Sequence, residues 1–324
     1  NNFSNLGIGK IKYGLLLKED GMVFDDGTTT KLSENRYLMT TTTSNAALVL
    51  DWLEEWLQTE WTNLDVFLTS VTDHWAVITV SGPKSRHVIS KLNPSISLDS
   101  EDFPFMSYRQ VNLAGIACRV FRISFTGELS YEINIPWPNA TYIWNKLLDA
   151  GSEYNITPYG TETMHVLRAE KGYPIIGQDT DGTINPIELG MGKLLSNKKD
   201  FLGKRSLSRE FKSDKYFVGF KTIDPNLIIP EGAQIISLDR VLNNDKENLD
   251  NLLINGSLES EGYITSSYFS PILDHSIALG FLNSGKEKIN TDEIFYATGD
   301  NNELIRTKIV SPVFYDEKGL RKDG

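Results

Sequence analysis

Phe125-Thr-Gly-Glu-Leu-Ser-Tyr-Glu-Ile133 sets a glycine turn between two apolar, alternating runs and carries two glutamates. Alternation marks a half-buried strand, because successive side chains point to opposite faces of a sheet. A glutamate inside such a run either faces solvent or holds its carboxylate against a ligand. Upstream, Val111 to Ser124 has a β pattern, and downstream the strand runs on to Ile135. Thr141 to Ala150 then changes to helical spacing, with Ile143, Trp144, Leu147 and Leu148 on one face. Thr161 to Ala169 is a further helix.

The N-terminal part repeats this theme. Ile11 to Leu17 is apolar, and Met22-Val-Phe24 follows a Glu-Asp-Gly turn. Asp25-Asp-Gly27 is a second turn signal before the β-branched Thr28 to Thr30. Tyr37 to Thr43 is a strand candidate, and Ser44 is placed to cap a helix. Behind it Val49, Trp52, Leu53, Trp56 and Leu57 define an amphipathic helix of about 14 residues. Strands are expected at 64–71 and 75–81, and a helix from Gly82-Pro-Lys-Ser-Arg86. Strand pairs alternating with helices predict an α+β fold, not a doubly wound sheet.

Beyond residue 209 the strands shorten: Tyr216 to Thr222, Gln234 to Leu238, Glu261 to Thr265 and Ser276 to Leu282, broken by Gly, Pro and Asn. That pattern predicts a small antiparallel β-barrel. Asn243 to Asn255 is polar and charged, the composition of an exposed loop. The expected division is therefore 1–205, an α+β region of two lobes, and 206–324, a C-terminal β-barrel domain.

Bulk composition narrows the partners. The 324 residues carry a net charge of −11, from 32 basic and 43 acidic residues. Nucleic-acid backbones need a basic footprint, so they are not the expected partner. No apolar run of about 18 residues is present, so no membrane span is expected. The lone Cys118 forms no intrachain disulfide, and the four histidines have no metal-ligand spacing. No metal is expected. With no secretion signal, a cytoplasmic location is expected.

Several stretches together carry a family resemblance: Phe24-Asp-Asp-Gly27, the Phe125 to Ile133 stretch, Arg168-Ala-Glu-Lys-Gly172, Gly177-Gln-Asp179 and Tyr263-Ile-Thr-Ser-Ser-Tyr-Phe-Ser-Pro271. The chain resembles the folate-binding aminomethyltransferase (glycine cleavage T-protein) family. Val71-Thr-Asp-His-Trp75, Gly82-Pro-Lys-Ser-Arg86 and Phe201-Leu-Gly-Lys-Arg205 are most similar to the sarcosine oxidase alpha-subunit branch. The resemblance implies an aminomethyltransferase-like fold that binds tetrahydrofolate, with flavin only on a partner subunit of sarcosine oxidase. It implies capture of the one-carbon unit of oxidised sarcosine as 5,10-methylenetetrahydrofolate. The alternatives are a stand-alone aminomethyltransferase of the glycine cleavage system and a non-catalytic folate-binding or scaffold protein. The family's N-terminal segment ahead of the Tyr13 strand has no counterpart here, so the chain is expected to be the later portion of a longer subunit.

The same resemblance assigns roles. Asp26 takes the catalytic carboxylate, as general base or as electrostatic partner of a developing cation; Asp25 is its structural partner. Glu132 takes the pterin-binding glutamate, whose carboxylate accepts two parallel hydrogen bonds. Phe125 lies where many members have Tyr, and Thr42 where the glycine-cleavage branch has Asn. Tyr13 aligns with an aromatic near the folate, Arg168 with a pterin neighbour, and Tyr268 is expected to reach the site from the barrel. On the residues alone, Asp25-Asp-Gly27 is also ordinary turn chemistry, Arg168 and Glu170 a helix-end ion pair, and Tyr268 a turn residue.

Overall fold

The computed structural model describes residues 1–209, 214–237, 239, 241, 259–300 and 303–324. The segment expected to be an exposed loop, Asn243 to Asn255, lies outside the described residues. Strands β1 (Ile11–Leu17), β2 (Val23–Ser33) and β3 (Arg36–Met39) form a three-stranded sheet in sequence order. Gly21, with φ 86°, turns the chain between β1 and β2. Asp25-Asp-Gly27 is not a turn: it lies within β2. Gly27 serves a close approach instead, since a Cβ there would stand 1.8 Å from the Thr40 carbonyl oxygen. Sequence alone does not separate these two uses of glycine.

Helix α1 (Ala46–Thr59) has the expected 14 residues. It begins after a 3-10 turn over Thr43–Asn45, so Ser44 is not its cap. No strand forms at 64–71, where Phe67 is 90% exposed. Apolar and β-branched residues make a strand only when a partner edge satisfies the backbone.

The sheet that carries the 125–133 stretch has the order β4-β7-β6-β5. Its strands are β4 (Trp75–Ser81), β5 (Ser107–Leu113), β6 (Ile116–Arg122) and β7 (Ser130–Pro136). The single β run expected from Val111 is thus a hairpin, turned at Ala114 and Gly115, both with positive φ. Helices α2 (Ser85–Leu92) and α3 (Ala140–Gly151) contribute to its core. Tyr131, Ile133 and Ile135 of β7 pack with Val88, Ile89, Ile143 and Leu147 of those helices. Each fully buried aliphatic side chain contributes about 1.5–3 kcal/mol. Alternation sends Glu132 and Asn134 to the opposite face.

Helix α4 (Thr161–Glu170) precedes the barrel, whose strand order is β10-β11-β8-β13-β12-β9. These are β8 (Lys215–Thr222), β9 (Gln234–Ser237), β10 (Gly262–Ser270), β11 (His275–Asn283), β12 (Ile294–Thr298) and β13 (Leu304–Val310). Antiparallel pairing of β9 with β10 closes the ring, which removes exposed sheet edges. Phe220, Ile235, Leu282 and Phe295 are fully buried inside. β10 runs further than Thr265, so Tyr268 is a strand residue, not a turn residue. The chain divides into two compact units: Asn1–Leu16 with Asp25–Tyr159 and Gly319–Gly324, and Leu17–Phe24 with Gly160–Lys318.

Candidate functional site

In the first unit, β1 and β2 bring Tyr13 against the paired aspartates. The Tyr13 hydroxyl donates to Asp26 Oδ2 at 2.6 Å. Asp25 is fully buried, and its Oδ1 accepts from the backbone N–H groups of Asp26 (2.9 Å) and Thr42 (3.4 Å). Its Oδ2 is buried with no hydrogen-bond partner among the described residues. The Thr42 side chain hydrogen-bonds Asp26. Tyr13, Asp25, Asp26 and Thr42 thus form one connected cluster across 30 residues of sequence.

Two opposing influences set the charge of Asp26. Burial and then the charge of Asp25 raise its pKa, whereas the bonds from Tyr13 and Thr42 lower it; the net direction is upward. Burial, followed by the Asp26 charge, pushes the Tyr13 phenol well above its ordinary range. Tyr13 therefore remains a donor. A half-buried carboxylate with a raised pKa and a fixed donor is suited to proton transfer.

Glu132 lies in the same unit, in register with Thr79 of β4 and Phe121 of β6. It is half-buried, and among the described residues no hydrogen bond or ion pair engages its carboxylate. Burial alone raises its pKa from 4.5 to about 7. Tyr159 feels its charge, which raises the phenol further after burial has done so. Phe125 is half-buried just before the turn, where Thr126 Oγ1 meets Ser81 Oγ at 2.8 Å. Gly127 takes φ 78°, and Leu129 O accepts from Gly82 N–H, so the turn is anchored to β4.

Arg168 and Tyr268 belong to the second unit. Arg168 does not pair with Glu170, which accepts instead from Ser270 Oγ at 2.6 Å. Its partner is Asp179: Nη1 and Oδ2 are 2.6 Å apart, and both side chains are fully buried. Arg168 Nη1 also donates to Tyr173 O, and Nη2 to Ser266 Oγ at 2.6 Å and Tyr268 OH at 3.4 Å. Asp179 has further partners in Ile175 N–H, Thr265 Oγ1 and Ser266 Oγ, which offset the desolvation of the pair, whereas Arg168 Nε has no partner among the described residues.

Sequence reading gave no role to Asp179, Gln178, Thr265, Ser266 or Tyr159. Gly177-Gln-Asp179 stood out as a motif, but its partners in β10 lie 86–90 residues away. No spacing rule spans that interval. Among the described residues no cluster of His, Cys, Asp or Glu could hold a metal ion. None of the described helices is long and apolar enough to cross a membrane.

Fold and site define an α+β protein with a closed antiparallel barrel and an acidic cluster on its first sheet. The GCVT N-terminal domain model matches residues 1–199, and the glycine cleavage T-protein C-terminal barrel domain model matches residues 215–316. The chain belongs to the glycine cleavage T-protein family. Its relatives include the sarcosine oxidase subunit alpha of Corynebacterium sp. (strain P-1), 46% identical over 100% of this chain and 32% of that protein. That of Rhizobium meliloti (strain 1021) is 39% identical over 99% of this chain and 32% of that protein. The aminomethyltransferase of Caldanaerobacter subterraneus subsp. tengcongensis is 29% identical over 100% of this chain and 78% of that protein. The chain spans about a third of the length of the sarcosine oxidase alpha subunits it matches. The crystal structure of glycine cleavage system aminomethyltransferase T from Bartonella henselae has the same fold, with a TM-score of 0.77 at 20% identity. That match covers 97% of this chain and 78% of that one. The aminomethyltransferase-like fold expected from sequence is therefore the observed one.

Proposed function

We propose that the chain is the tetrahydrofolate-binding part of a sarcosine oxidase alpha subunit. In this reading it captures the one-carbon unit of oxidised sarcosine as 5,10-methylenetetrahydrofolate, and flavin resides on a partner subunit. The observation that carries the proposal is Glu132: a half-buried carboxylate without a hydrogen-bond or ion-pair partner among the described residues. Leaving a buried charge unpaired costs several kcal/mol unless a ligand compensates it. A pterin ring offers an N–H and an amino group side by side, which one carboxylate accepts together. The residues present fit such a group.

Bound tetrahydrofolate would supply the amine nitrogens that take up the one-carbon unit. Glu132 would orient the pterin and exclude water from its polar edge, with Phe125 packing nearby. Asp26 would accept a proton or stabilise a developing cation, at a carboxylate whose orientation Tyr13 and Thr42 fix. Identity favours this over a stand-alone aminomethyltransferase: 46% against 29%. Anaerobic calorimetry with tetrahydrofolate tests it. Micromolar binding to the wild type, lost in Glu132→Ala and kept in Asp26→Asn, is expected; a folded wild type that binds nothing refutes it.

A further inference from the structure

Residues Gly319–Gly324 belong to the first unit, the one that holds Phe125 and Glu132. Gly319, with φ 63°, opens a short 3-10 turn over Leu320–Asp323. Two arginines of the same unit receive this strap: Arg86 of α2 and Arg122, the last residue of β6. Arg122 is fully buried, and its Nη1 donates to Phe103 O at 2.6 Å. The two protons of its Nη2 face three acceptors: Ser100 Oγ at 3.2 Å, Lys322 O at 3.3 Å and Asp323 Oδ1 at 3.2 Å. Arg86 Nη2 meets Ser100 Oγ at 3.2 Å and Asp323 O at 3.3 Å. The Nε of each arginine is buried without a partner among the described residues. Two like charges therefore converge on Ser100, and strap oxygens supply much of what they bond to. Removing those acceptors would leave a buried guanidinium poorly satisfied, which fixes where the strap sits.

The strap has a second contact, with the turn between β6 and β7. Arg321 Nε donates to Glu128 Oε1 at 2.5 Å. Glu128 stands three residues after Phe125 and four before Glu132. Gly324 closes beside it, since a Cβ there would lie 3.1 Å from Leu129 Cδ2. The turn over 123–129 is thus tied twice: to β4 through Ser81 and Gly82, and to the strap through Glu128. The side chains of Arg321 and Glu128 keep 43% and 19% of their surface. A pair that exposed adds little to global stability. What it does specify is the local course of the turn.

We infer that Arg321 is a positioning residue of the ligand site: through Glu128 it fixes the 123–129 turn, and with it the place of Phe125 against the ligand that Glu132 holds. The inference rests on the tetrahydrofolate reading above. Asp323, bonded to Arg122, keeps the strap seated so that Arg321 can act. Neither strap residue touches the ligand; both work through the turn.

The test is anaerobic calorimetric titration of tetrahydrofolate into the wild type, Arg321→Ala, Arg321→Lys, Glu128→Ala, Phe125→Ala and the double variants Arg321→Ala/Glu128→Ala and Arg321→Ala/Phe125→Ala. Each is also melted thermally. Arg321→Ala and Glu128→Ala are each expected to bind about fivefold more weakly, with melting temperatures within about 2 °C of the wild type. A merely structural pair would do the reverse, moving the melting temperature and sparing the affinity of the folded protein. Arg321→Lys, which keeps the charge opposite Glu128, should recover most of the loss. In the Glu128→Ala and Phe125→Ala backgrounds Arg321→Ala should cost nothing further, because the route it acts through is already gone. Arg321→Ala binding within about twofold of the wild type, or a loss undiminished in either background, overturns the inference. If Glu132→Ala abolishes binding while Arg321→Ala binds like the wild type, this inference falls and the folate reading stands. A folded wild type without binding removes both.

Discussion

Replacing Glu132 by glutamine separates what the site costs the fold from what it gives the ligand. In the folded chain the carboxyl has a pKa of about 7, against 4.5 when solvated, and burial is the cause. Between those values the native state holds a proton that the unfolded chain has released, so stability falls as pH rises. The penalty is absent below 4.5 and complete above 7. At about 1.4 kcal/mol per pH unit, that window amounts to ~3 kcal/mol. The figure is an upper bound, because the side chain is half-buried and retains some hydration. Glu132→Gln removes the penalty and keeps the shape. At pH 8 it should therefore stabilise the ligand-free chain by ~1–3 kcal/mol, and at pH 4.5 the two proteins should be equal within error. Urea unfolding at both pH values gives the comparison. The reasoning fails if the variant is no more stable at pH 8, or if the difference is the same at both pH values. The same variant should lose tetrahydrofolate affinity, the usual trade between stability and a functional site.

Three other outcomes follow from the geometry. Tyr13→Phe deletes the 2.6 Å bond that lowers the pKa of Asp26, so the acid limb of the pH–activity profile should move upward; an unmoved limb would separate Asp26 from the chemistry. Asp179→Asn leaves the Arg168 charge without its buried counter-ion, and a loss of about 3–5 kcal/mol is expected in chemical denaturation. Gly27→Ala forces a methyl group toward the Thr40 carbonyl, 1.8 Å from the ideal Cβ position. The strands must part there, at a cost of about 1–3 kcal/mol or more, with disruption of the Thr42–Asp25 contact visible in the amide spectrum.

How much of this was legible depends on the range of the interaction. β7 and its turn were readable because period-two alternation and a glycine are local signals. The helix over Ala46–Thr59 was readable for the same reason, from apolar residues at helical spacing. The 64–71 segment is rich in apolar and β-branched residues but pairs with no strand among the described residues, and pairing is not a local property. Asp25-Asp-Gly27 was ambiguous because glycine marks turns and close approaches alike; only the Thr40 backbone decides between them. Glu132 and Asp26 were found through a family resemblance, since an isolated acidic residue in a strand has no distinguishing spacing. Asp179 received no role because its partners Thr265 and Ser266 are brought to it by the barrel, 86 and 87 residues later.

The central claim is that an ionised Glu132 holds the ligand. Its pKa of about 7 in the free chain makes that claim countable in protons. Anaerobic calorimetry at pH 6.5, in buffers of different ionisation enthalpy, measures the protons released when tetrahydrofolate binds. Release of roughly 0.7–0.8 proton per ligand is expected, since that fraction of a group with pKa 7 is protonated beforehand. Glu132→Gln should release none. No proton release from a wild type that binds, or equal release from both proteins, would contradict the account.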